Sequence, residues 1–178
     1  PLPVAACRRL LPGAVARLQP ALSALNYSVI SPQFQRLREL KQLGTCAFVY
    51  PSATHTRFEH SLGVCHLAEH EVVRLQKMQG AELGITSRDI KHVSLAGLCH
   101  DLGHGPFSHT FEHFVNERPS AENNDAEKGS WTHEQASIEL LEHMMRPGTL
   151  LAHAMEAEGL GETDATFVKE IIVGHGLG

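Results

Sequence analysis

Apolar residues recur at helical spacing along most of the chain. Ser31-Pro32 opens the first clear run, with Ser as N-cap and Pro at the first helical position. Phe34, Leu37, Leu40 and Leu43 follow at three-residue intervals until Gly44, and Gln35, Arg36, Arg38 and Lys41 take the opposite face. The spacing predicts one helix over 32–43. Ala47 to Tyr50, closed by Pro51, reads as a short strand or an extended connection. A long helix is predicted over 56–79, with Phe58, Leu62, Cys65, Val72 and Leu75 as its buried stripe and Gly63 as its weak position.

Beyond a turn at 80–86, Ser87 is placed to cap a helix whose Ile90, Val93, Gly97 and Leu98 lead into His100-Asp101, and Gly103, Gly105 and Pro106 end it. A short helix is predicted over 108–115 and a polar surface loop over 116–130. Thr132-His133-Glu134-Gln135 has capping-box spacing and opens a helix that reaches Arg146. Helices over 150–158 and 164–173 complete an all-α fold with no internal repeat.

A chain of 178 residues, 42% hydrophobic and 20% charged, suits one domain with a real core. The formal charge of −5 gives no basis for general nucleic-acid affinity, so any anion site is local. Charge is nonetheless segregated. Arg36, Arg38, Lys41 and Arg57 face only Glu39 between positions 33 and 57, whereas the last third of the chain is acidic. No apolar run approaches the roughly 20 residues of a membrane span. Cys7, Cys46, Cys65 and Cys99 form no C-x-x-C pair, which argues against a disulfide framework or a cysteine zinc site and for a reducing, intracellular setting. The segment before Glu39 holds five arginines and no acid, a bias shared with organelle transit peptides. Pro12 and Pro20 interrupt any amphipathic helix there, so residues 1–30 read as a basic leader of unknown role.

Chemistry concentrates in the histidines. Nine of the 13 fall between His55 and His113. His100-Asp101 ends an otherwise apolar helix, where ionisable groups are costly unless paired or metal-bound, and glycines follow to open space around it. Imidazole and carboxylate together suit Zn, Fe, Mn or a similar divalent ion. Arg57 and His60 are three apart and share a helix face, so an arginine sits within reach of any phosphate bound to a metal at His60.

Five stretches, in order, carry a family resemblance: Pro32-Gln33-Phe34-Gln35-Arg36-Leu37-Arg38; Lys41-Gln42-Leu43-Gly44; His55 with Arg57-Phe58-Glu59-His60-Ser61-Leu62-Gly63-Val64; Ala96 through Cys99-His100-Asp101-Leu102-Gly103-His104 to His109; and Trp131-Thr132-His133-Glu134-Gln135. Over residues 31–173 the chain resembles the first part of the catalytic core of the HD-domain deoxynucleoside triphosphate triphosphohydrolases, most of all the animal enzymes that also carry a sterile alpha motif. The resemblance implies an HD-domain helical bundle over 31–178 and hydrolysis of a deoxynucleoside triphosphate to the deoxynucleoside and inorganic triphosphate.

By that resemblance His60, His100 and Asp101 are three of four metal ligands, for Zn, Fe or Mn, with Mg accompanying the triphosphate. His104, Glu112 and His133 form the catalytic group, Arg57 and His109 contact the triphosphate, and Gln42 and Leu43 line the nucleoside pocket. Gln35 and Arg38 belong to a regulatory nucleotide site, and relatives assemble into oligomers, which implies self-association or pairing with a full-length relative in the nucleus or cytoplasm.

Three departures accompany the match. Glu112 replaces the aspartate of close relatives, and its extra methylene is expected to mis-set the hydrogen bond to the catalytic histidine. Ile30 replaces an aspartate that reads guanine, which weakens the expectation of guanine activation. The fourth ligand, a later aspartate, has no counterpart, since Asp164 in Thr163-Asp164-Ala165-Thr166 does not match its motif. The expectation is a partial bundle, either a fragment of a longer enzyme or a truncated form. A catalytically dead nucleotide-binding or regulatory module is the alternative.

Overall fold

The structure, a computed structural model, describes residues 23–117 and 130–174. It is all-α, as the periodicity predicts: eight α-helices and two 3-10 turns among the described residues, joined by a single β-bridge between Lys41 and Thr56. The α-helices are α1 (Ala24–Ile30), α2 (Pro32–Gln35), α3 (Arg57–Leu83), α4 (Ser87–Cys99), α5 (His109–Glu117), α6 (His133–Met144), α7 (Leu150–Ala157) and α8 (Glu162–Val173).

Helix α4 is the centre of the bundle. It packs against α3 on one side and α8 on another, and α1 lies across α4 and α7. Phe34, Leu37, Leu98, Leu102 and Leu141 are sealed from solvent in one core. Gly97 sets the spacing of α3 and α4, because a Cβ there would stand 3.4 Å from Ala68 Cβ, Cys65 Cα and the Val64 carbonyl oxygen.

Several expectations change. The helix predicted over 32–43 is instead α2 followed by a 3-10 turn, Arg36–Glu39. The segment leaves the helical path because Leu40 and Gln42 exchange backbone hydrogen bonds with Arg57 and His55, at 2.8 and 3.2 Å. The run Ala47 to Tyr50 is not a strand, since its first half lies in a second 3-10 turn, Gly44–Phe48. In α3 only Phe58 of the predicted stripe is buried; Cys65, Val72 and Leu75 are half-buried and Leu62 is exposed. Thr86 rather than Ser87 caps α4, in a full capping box with Asp89. Thr132 caps α6 by accepting from the Gln135 N–H.

Of the basic leader, residues 1–22 lie outside the described residues. Its end is α1, with Ala24 and Tyr27 in the core. The Ala24 N–H donates to the Glu158 carboxylate at 2.6 Å, and Lys91 of α4 pairs with the same group. The predicted loop over 116–130 falls mostly outside the described residues. No helix among the described residues is long and apolar enough to cross a membrane.

Candidate metal centre

Two helix ends meet at the site. The capping box of Thr56 and Glu59 fixes where α3 begins and so presents Arg57 and His60 in its first turn. The C-terminal end of α4 presents His100 as its cap and Asp101 one residue beyond. One donor atom from each of His60, His100 and Asp101 lies within 4.8 Å of the other two. His60 Nε2 is 3.4 Å from Asp101 Oδ2, and His100 Nε2 is 3.3 Å from Oδ1. His100 Nδ1 donates to the Gly97 carbonyl at 2.7 Å, which fixes the tautomer and leaves Nε2 with its lone pair facing the cluster.

Asp101 and Arg57 are buried, and Arg57 Nη1 donates to Asp101 Oδ2. Burial alone would raise the Asp101 pKa, but His100, Arg57, His104 and His60 together hold the carboxyl below the usual range. Burial pushes the His60 pKa down, with Asp101 opposing, so the ring is neutral at neutral pH. One carboxylate oxygen with two imidazole nitrogens is a donor set that suits a divalent transition ion.

A second group adjoins the first. His104, at 2% exposure, stacks on His133 with centroids 3.8 Å apart and planes at 21°. Burial, reinforced by the Arg57 charge, pushes the His104 pKa down to about 3. His133 opens α6, and its Nδ1 lies 2.9 Å from Glu112 Oε2 on α5. The extra methylene of Glu112 therefore does not prevent this contact. His109, the first residue of α5, is exposed at the rim, edge-on to both other rings.

The turn between these groups is tightly held. Ser137 Oγ accepts from the Gly103 N–H at 2.8 Å and reaches the carbonyls of His100 and His133. Phe107 and Ser108 both adopt positive φ, 64° and 58°, a conformation costing non-glycine residues about 1 kcal/mol or more each. The Ser108 hydroxyl, donating to the Gln42 carbonyl, ties that strained turn to the 40–44 segment, which also carries the exposed Leu43.

Arg36, Ser137 and Glu134 belong to the site although sequence reasoning assigned them no role. Arg36 donates to the carbonyls of Leu102 and His104, the latter at 2.9 Å, and so ties the first 3-10 turn to the site. It looked like one more charge on a polar face, since nothing local marks its acceptors. Glu134 Oε1 lies 3.3 Å from His133 Nε2. Gln35 and Arg38 are bonded to each other at 2.9 Å, and Arg38 lies 3.6 Å over the Phe58 ring. Asp164 is committed elsewhere, to Arg88, His92 and the Gly161 N–H.

The HD domain family model matches residues 57–171, the span from Arg57 into α8. The chain belongs to the HD-domain family. Over 146 residues it is 51% identical to the deoxynucleoside triphosphate triphosphohydrolase SAMHD1 of Gallus gallus, covering 81% of this chain and 22% of that protein. Identity to the Homo sapiens protein of the same name is 49% over 147 residues, covering 81% and 22%. The Dictyostelium discoideum SAMHD1 homolog is 45% identical over 139 residues, 78% of this chain and 24% of that protein. The chain thus spans about a fifth to a quarter of the length of the curated relatives it matches. HD domains bind divalent metal ions, and the His60, His100 and Asp101 donors fit one.

Proposed function

We propose that this HD domain hydrolyses deoxynucleoside triphosphates, dGTP among them, to the deoxynucleoside and inorganic triphosphate. The observation that carries the proposal is the placing of the three-donor group and the Glu112-His133 pair on either side of one buried turn, residues 100–104. The relatives named as deoxynucleoside triphosphate triphosphohydrolases support it.

His60, His100 and Asp101 hold the ion, which is Zn, Fe or Mn, with Mg on the triphosphate. When bound, the ion supplies Lewis-acid polarisation of a phosphoryl oxygen and a lowered pKa for water. Arg57 and His109 bind the triphosphate, Arg57 from its anchored place beside Asp101. His104, which burial and the Arg57 charge keep neutral, completes the catalytic group with Glu112 and His133. His133, its Nδ1 held by Glu112, passes a proton to the leaving 5′ oxygen as water adds to the α-phosphorus and the bond from that phosphorus to the 5′ oxygen breaks. Gln42 and Leu43 face the nucleoside across the strained 107–108 turn, and Gln35 with Arg38 serves a regulatory nucleotide, with Ile30 weakening guanine selection. The proposed setting is the nucleus or cytoplasm.

A second reading rests on a different observation. Phe48, Val49 and Tyr50 are 90, 73 and 65% exposed in one segment, which favours association with a full-length relative or a second copy as a regulatory module. Assaying inorganic triphosphate release from each deoxynucleoside triphosphate, with Zn, Fe or Mn and Mg supplied, separates the two. Release dependent on His60 supports the enzyme; bound metal without release from any substrate supports the module.

A further inference from the structure

We infer that Asn116 is a positioning residue: its side-chain amide clasps the backbone of Trp131 and so decides that Glu112 serves His133 and not His109. The amide nitrogen donates to the Trp131 carbonyl at 2.9 Å, and the amide oxygen accepts the Trp131 N–H, also at 2.9 Å. One side chain thus satisfies both backbone groups of a residue 15 positions away. Asn116 lies one turn after Glu112 on α5, and Trp131 stands two residues before His133, so the clasp joins the two segments that carry the Glu112-His133 pair.

The pair needs such a guide because Glu112 has a choice of partner. Its Oε2 lies 2.9 Å from His133 Nδ1 but also 3.9 Å from Nδ1 of His109, one turn earlier on its own helix. The local partner travels with α5 wherever it goes, whereas the distant one requires α5 and the start of α6 to keep their spacing. His133 has a rival acceptor as well, Glu134 Oε1, 3.3 Å from its Nε2. Phe111 anchors the start of α5: its ring meets Trp131 edge-on, centroids 5.6 Å apart, and lies so close under Gly105 that a Cβ there would stand 2.3 Å from Phe111 Cδ1. One anchor of this kind permits the helix to swing about it. Asn116, near the other end of α5, supplies the second point that sets its direction.

In the reaction proposed above, a carboxylate held on Nδ1 keeps the other nitrogen of His133 directed at the leaving oxygen, so the catalytic consequence of the clasp rests on that reading. The clasp itself does not. Its loss should act on kcat, through the orientation of His133, and leave KM and metal content unchanged, because both side-chain bonds of Asn116 go to Trp131 and neither goes to a metal donor or to a residue assigned to the substrate.

Proton NMR of the 178-residue chain gives a test that needs no activity. The His133 Nδ1 proton, held by Glu112, should give a slowly exchanging downfield signal that Glu112→Ala abolishes. Asn116→Ala should broaden or abolish the same signal, while the His100 Nδ1 proton, bonded to the Gly97 carbonyl at 2.7 Å, keeps its own. Asn116 is exposed, so the variant should keep its fold, which circular dichroism checks. Triphosphate release is then read in a double-mutant cycle: Asn116→Ala should lower kcat about tenfold or more in the parent and not at all beside Glu112→Ala. A parent spectrum without a Glu112-dependent signal, a signal unmoved by Asn116→Ala, or an equal loss of kcat in both backgrounds overturns the inference. A parent that releases no triphosphate counts against the hydrolytic proposal alone, and the NMR signal still decides this one.

Discussion

Gly103 sits between the two histidine groups, and its replacement by alanine tests how tightly the turn is packed on α6. A Cβ at 103 would stand 2.3 Å from the His133 carbonyl oxygen, 2.4 Å from the Ser137 nitrogen and 2.7 Å from the Ala136 carbonyl carbon. All three are backbone atoms of one helix, so no side chain can swing away and the turn must separate from α6. Overpacking of this kind costs about 1–3 kcal/mol. Separation also stretches the 2.8 Å bond from Gly103 to Ser137 Oγ, a further loss of about 1 kcal/mol. Together these give about 3 kcal/mol, or a fall in Tm of roughly 6–12 °C for a domain this size. Gly63→Ala supplies the control. It lies inside α3 with nothing within 4 Å of the added Cβ, so the same methyl group should stabilise by about 0.5–1 kcal/mol through helix propensity. Thermal unfolding followed by circular dichroism at fixed metal concentration reads both. If Gly103→Ala melts within about 2 °C of the parent, or both variants shift in the same direction, the account of the turn is wrong.

Asp164→Asn should destabilise by about 2 kcal/mol, since it removes a carboxylate that Arg88, His92 and the Gly161 N–H all bind. Because Arg88 holds the Asp164 pKa well below its unfolded value, this stability is present above about pH 4 and fades as pH falls through the folded pKa, and urea unfolding at stepped pH should show the parent and variant converging on acidification. His104 acts in a different window: its pKa of about 3 means the unfolded chain takes up a proton first, so metal-free protein should lose about 2 kcal/mol between pH 6.5 and 5, and His104→Gln should flatten that slope. Arg57→Ala leaves the buried Asp101 without its guanidinium partner and should cost the metal-free chain about 3 kcal/mol. Metal restores charge balance at Asp101, so zinc should raise the Tm of the variant more than that of the parent; equal increments would show that the pair does not compensate the carboxylate. Metal release on acidification, followed by a chromogenic chelator, should fall below the ordinary histidine pKa of about 6.5 because burial lowers that of His60.

What the sequence disclosed and what it hid divide along a physical line. Periodicity is a property of one helix, so α3, α4, α6, α7 and α8 were legible from spacing alone. Packing against a distant segment leaves no local trace. The 36–44 stretch has helical spacing, yet backbone bonds to His55 and Arg57 take it out of the helix. The same distinction governs the site. His100-Asp101 and Arg57-x-x-His60 stood out because each places unusual groups together on one element, and the family motifs joined them. Arg36 and Ser137 did not, because the partners that tie them to the 100–104 turn, carbonyl and amide groups of that turn, lie 34 to 68 residues away, which no residue type announces.

The site's rigidity therefore resides mainly in residues that carry no chemistry of their own. Arg36 fixes the carbonyls of Leu102 and His104 from one side, and Ser137 fixes Gly103 and the carbonyls of His100 and His133 from the other. Between those clamps the side chains of Asp101 and His104 stand 3.5 Å apart, Oδ1 to Nε2. That proximity couples the two histidine groups: any displacement of α6 moves His133 relative to His104 and disturbs the donors on Asp101 at the same time. A metal held by His60, His100 and Asp101 should accordingly stiffen the His104-His133 stack, although neither ring is a member of that donor set.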